Sequence, residues 1–115
     1  MTVDTSDENF VAMVQRAMSE LSPDHIQALE HVAILVADEP SPEQARVLKL
    51  RGDQVLLGLF EGVPRTYRTG NESGLMSDTI TIFKQGILAV SHDQKSLYEQ
   101  VKRTVWHEIA HYFGL

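Results

Sequence analysis

Three side chains near the end of the chain could do chemistry together: His107, Glu108 and His111, in the run His107-Glu108-Ile109-Ala110-His111. On a helix, residues four apart lie on one face about a turn from each other, so the two imidazoles can share one ion. Glu108 would lie roughly 100° round the helix from His107, close enough to meet a water held by that ion without being a ligand. Zinc would lower that water's pKa towards ~7 and polarise a carbonyl, while the glutamate took the proton and passed it to a leaving amine. Amide hydrolysis requires this set of residue types. A chain with five histidines also meets the pattern by chance, at roughly one or two in a hundred, so the motif has to be weighed with its surroundings.

Those surroundings are helical. Ser96 followed by Glu99 reads as a capping box, and the helix it opens is expected to run to Phe113, with Gly114 as a left-handed stop. Projected at about 100° per residue, Leu97, Tyr98, Val101, Val105, Trp106, Ile109, Tyr112 and Phe113 cover roughly half the circumference. Trp106 and Phe113 are therefore expected in the core. His107 and His111 fall outside that arc, beside Gln100 and Thr104. Core histidines would lie within it.

The elements that must position this helix are read from the same local signals. Apolar residues at Phe10, Val14, Ala17 and Leu21 give a surface helix over Asp7 to Leu21, with Thr5 and Glu8 as its capping box. Ser22-Pro23 opens a short helix to about Glu30. Val32 to Ala37 is a continuous apolar run, expected as a strand covered on both faces and central in its sheet. Ser41-Pro42-Glu43-Gln44 caps another short helix, to about Leu50, and Val55 to Phe60 is expected as a second strand. Arg65 to Asp78 has the composition of a long exposed loop. Thr79 to Phe83 alternates and is rich in β-branched residues, as a half-buried strand at a sheet edge would be.

The 115 residues suit one domain, expected to span 1–115. No apolar run reaches the ~18 to 20 residues of a membrane span, so no membrane partner is expected. Met1 to Asp7 is polar and acidic, unlike a secretory signal, which makes the cytoplasm the expected compartment. Without cysteine, a metal can be held only by histidine, carboxylate or water. A net charge of −6 repels phosphate backbones, so no nucleic-acid partner is expected, and Lys102-Arg103 reads as a solvated helix face. His25 and His31 read as structural histidines. For His92, a straight helix from Ser96 starts roughly 16 Å from His107, too far for a ligand. Tyr67 reads as a surface tyrosine and Met76 as a loop or core contact.

Read on to Gly114, the motif becomes His107-Glu108-x-x-His111-x-x-Gly114, which resembles the zincins. Val55 to Pro64, Asp78 to Phe83 and Val101 to Trp106 extend the likeness, over about Leu29 to Leu115, to the small bacterial zincin-like metallopeptidases, or mini-zincins. The resemblance implies an α/β (α+β) domain with a mixed three- to four-stranded sheet, an N-terminal helix, and a zinc-binding helix beneath the sheet. It further implies an edge strand above the cleft and a peptide or protein substrate. His107 and His111 would then be the zinc ligands and Glu108 the general base, with the peptide paired to the edge of Thr79 to Phe83. The rival expectation is a binding module that keeps the scaffold and no longer turns over.

In that family an aspartate follows the second histidine by six residues, which would be position 117, and the sequence given ends at Leu115. The expectation is that the 115-residue form, either a truncated version of a longer protein or one whose site is filled otherwise, binds zinc weakly and shows little or no peptidase activity. Its third ligand would be water, the Leu115 carboxylate or another chain, as in a homodimer.

Overall fold

The computed structural model describes residues 3–62 and 78–115. The loop expected over Arg65 to Asp78, with Tyr67 and Met76, therefore lies outside the described residues except for Asp78.

Helix α1, Asp7–Ser19, is capped by Ser6, whose hydroxyl accepts from the Asn9 N–H at 3.1 Å. The cap thus falls one residue after the expected Thr5. α2 (Pro23–Ala28) and α3 (Pro42–Val47) begin where Ser22-Pro23 and Ser41-Pro42 indicate. In α3 the full capping box forms between Ser41 and Gln44. The strands are β1 (Val32–Ala37), β2 (Gly58–Glu61) and β3 (Asp78–Phe83). A six-residue helix α4, Lys84–Ala89, follows β3 directly, and α5 spans Gln94–Tyr112.

Among the described residues the sheet has three strands in the order β1-β3-β2, with β1 parallel and β2 antiparallel to β3. This corrects both positional expectations: β3 is central and β1 is an edge. The apolar run of β1 made it look central, but Leu35 on it is 50% exposed. Sequence pattern reports which faces of a strand are covered; its lateral neighbours are settled by long-range pairing. The threonines that suggested an edge alternate with Ile80 and Ile82, and Thr81 is itself buried.

The core lies between the sheet and the long helices. Register aligns Ile34 with Ile80 and Val36 with Ile82, and Phe60 pairs with Ile80 from the other side. On that face Phe60 meets the Tyr112 ring edge-on, with centroids 6.1 Å apart. Phe10, Val14 and Ala17 of α1 and Leu97, Val101, Val105 and Ile109 of α5 close the cluster.

Trp106 departs from its expected place. It is 39% exposed and holds α1 from outside, donating its indole N–H to the Ala17 carbonyl at 3.1 Å. Beside it Lys102 pairs with Glu20 at 2.6 Å and lies 4.7 Å over the indole ring. The Lys102 ammonium holds the Glu20 carboxyl below the usual carboxylate range. At the other end of α1, buried Lys84 reaches Asp7 at 2.7 Å, and that bond raises the lysine pKa.

Candidate metal centre

Helix α5 starts before the expected Ser96. Asp93 is its N-cap, accepting from the Ser96 N–H at 2.6 Å, and the Ser96 hydroxyl accepts from the Asp93 N–H at 3.0 Å. The bonded N–H holds the Asp93 carboxyl below its ordinary pKa. The other end stops on Gly114, at φ 79°, with its N–H bonded to the His111 carbonyl and the Leu115 N–H to the Ala110 carbonyl. These two bonds are the Schellman arrangement. His111 thus stands in a last turn whose carbonyls are satisfied, which fixes where its ring emerges.

His107 and His111 are both exposed, and their ring centroids lie 4.5 Å apart. Glu108 turns inward under the sheet and is buried. Its Oε1 lies 3.1 Å from His111 Nδ1, so a proton on Nδ1 would bond the carboxylate and leave the Nε2 lone pair to face a metal. A buried carboxylate left without such a partner would be costly. One ligand atom from each of His107, Glu108 and His111 can be chosen so that all lie within 4.8 Å of one another. Two imidazole nitrogens suit a zinc-class ion, with the Glu108 carboxylate in reach of a water beside it, and no cysteine thiolate is available. The residues therefore fit the metal their spacing implied.

What lies above them was less legible. A Cβ built on Gly58 would stand 2.7 Å from Thr104 Cγ2 and 3.1 Å from Glu108 Cγ. The missing side chain is what lets β2 come down onto α5 at the glutamate. A lone glycine in an apolar strand run signals such an approach. Leu56, Leu57 and Gly58 form one wall of a cleft of about 260 Å³, and Gln100, Arg103, Thr104, His107 and Glu108 form the other.

The remaining histidines lie elsewhere. His92 precedes α5 and donates its backbone N–H to Ser96; the helix from Gln94 to His107 alone spans roughly 20 Å. His25 stacks on Phe113 with ring centroids 5.6 Å apart. Neither joins the group around His111, and His31 is absent from it as well.

A mixed sheet laid on a long helix, with two histidines one turn apart and a glutamate beneath the strand above them, defines a small domain built round a candidate metal site. The chain belongs to the zincin-like metallopeptidase family, whose pattern matches residues 29–115. Among solved structures it is similar to a conserved hypothetical protein from Thermo thermophilus, at 23% identity and a TM-score of 0.62, over 95% of this chain and 94% of that one. That likeness concerns the fold. No curated protein matches the sequence. No helix among the described residues is long and apolar enough to cross a membrane.

Proposed function

We propose that the chain is a zinc-dependent peptidase in which His107 and His111 hold the metal and Glu108 is the general base. The observation that carries this reading is the junction of two exposed imidazoles with a buried carboxylate inside 4.8 Å. Bound zinc would supply Lewis acidity at the scissile carbonyl and a water of lowered pKa. Glu108 accepts the proton as the water oxygen bonds to the carbonyl carbon, then returns it to the amide nitrogen as the C–N bond breaks. Its burial beneath Gly58 keeps the carboxylate poorly hydrated at the wall of the cleft.

The peptide expected along Thr79 to Phe83 belongs elsewhere, because β3 is paired on both sides. β2 is the edge strand beside α5, with no strand paired to its outer side among the described residues, so an extended substrate would add there. A second reading, a binding module without turnover, draws on the Glu108–His111 contact, which occupies the carboxylate.

The test is metal analysis of protein purified without chelator, together with a peptide-hydrolysis assay. Added zinc should bind near one per chain, and that binding should be lost in His107→Ala and His111→Ala. Glu108→Gln should bind zinc yet lose hydrolysis by a factor of about 10² or more. Equal cleavage by Glu108→Gln and the wild type would eliminate the mechanism. Zinc binding without cleavage by either would favour the binding module.

A further inference from the structure

We propose that Arg103 selects a carboxylate group on the peptide, one helical turn along α5 from His107. The inference rests on the reading above in one respect, that the cleft between β2 and α5 receives a peptide.

The adjacent bases Lys102 and Arg103, alike in sequence, face different surroundings. Lys102 is committed to Glu20 and the Trp106 ring. Arg103 lines the cleft, with Leu56 and Leu57 on the opposite wall and His107 and Glu108 on its own. Its side chain is exposed and makes no ion pair or hydrogen bond with another described residue, not even with Glu99 one turn earlier. Arg16, Arg51, Lys84 and Lys102, by contrast, each have an acidic partner.

A free guanidinium presents a planar fork of donors that takes a carboxylate through two parallel hydrogen bonds. The apolar wall of Leu56 and Leu57 lowers the local dielectric, which strengthens such a pair relative to one on open surface. The rest of the molecule works against an acidic ligand, since the chain carries a net charge of −6. The Arg103 cation in the cleft is then what separates acceptable acidic peptides from repelled ones. Four helical residues span about 6 Å, the length of about two extended peptide residues. The selected carboxylate therefore belongs within about two positions of the bond at His107. An aspartate or glutamate side chain and a free C-terminus both offer that group.

The experiment measures binding of a matched peptide panel by fluorescence anisotropy, in parallel with cleavage of the same peptides. The panel contains a neutral peptide with an amidated end, its glutamate variants with an amidated end, and the neutral peptide with a free carboxyl end. The expected result is that wild-type protein binds a carboxylate peptide about tenfold more tightly than the neutral one. Arg103→Ala should erase that preference, and Arg103→Lys should keep part of it, since a point charge replaces the fork. Preference for the amidated glutamate peptides identifies a side-chain carboxylate; preference for the free end identifies a C-terminus. Equal binding of neutral and acidic peptides by the wild type overturns the proposal, as does a preference that survives Arg103→Ala in protein of unchanged melting temperature. Acidic peptides bound through Arg103 but never cleaved would sink the peptidase reading and support this one. Cleavage without charge preference would do the reverse.

Discussion

The two long faces of α5 are built on different terms. Leu97, Val101, Val105 and Ile109 are packed out of water against the sheet and α1, whereas Arg103, His107 and His111 stand in solvent a few ångströms away. Each buried aliphatic side chain contributes about 1.5 to 3 kcal/mol by leaving water. The exposed groups contribute little, and so are free to be chosen for what they bind. Thr104 and Glu108 lie on the boundary: polar, yet buried under Gly58. A rigid inner face is what allows the outer one to hold two imidazoles at a fixed separation without help from each other.

Substitutions on the two faces should therefore separate cleanly. The largest loss is expected from Leu97→Ala, which opens a cavity in a fully buried position and should cost about 2 to 5 kcal/mol in urea unfolding. An intermediate loss is expected at the boundary. His111→Ala leaves the Glu108 carboxylate without its partner and should cost about 1 to 3 kcal/mol in metal-free protein, more than His107→Ala, which should stay within about 0.5 kcal/mol. Equal effects of the two histidine changes would mean that the Glu108 contact carries no stability.

Gly58→Ala comes next, with an expected cost of about 1 to 2 kcal/mol because the new methyl meets Thr104 and Glu108. Adding Thr104→Ala removes the nearer contact, so the double mutant should recover part of the loss. Additive losses in that cycle would place the strain somewhere other than between β2 and α5.

The smallest effect belongs to the helix cap. The folded-state pKa of Asp93 is depressed, so its contribution is fully present above its unfolded pKa of about 4 and fades as pH falls through the folded value. Asp93→Ala should lower the melting temperature by a few degrees at pH 7 and by less at the acid end. A melting difference that grew on acidification would contradict the cap assignment.

The parts of the molecule that were legible in its sequence are those encoded within one element. The spacing of His107 and His111, the apolar arc of α5 and the Gly114 stop are set by residues less than twenty positions apart, and the helix displays them directly. Strand order is set by pairing between segments far apart in sequence, and there the local cues misled: Val32 to Ala37 looked central and Thr79 to Phe83 looked peripheral. Helix α4 escaped notice because it is short, has no side-chain cap and contains Gly86, whose missing Cβ leaves room for the Leu56 carbonyl. Trp106 was misplaced by a narrower margin. It sits at the rim of the apolar arc, where periodicity cannot distinguish the core from a clamp on α1.

The family pattern begins at residue 29, but the fold it belongs to does not. Phe10, Val14 and Ala17 reach the core from α1, and that helix is tied down at Asp7 by Lys84, at Ala17 by Trp106 and at Glu20 by Lys102. Deleting everything before residue 29 would uncover the flank of α5 opposite the histidines and leave Lys84 buried without its anion. The boundary of shared ancestry and the boundary of the cooperative folding unit are thus different lines on this chain. The second runs through a helix that the first never touches.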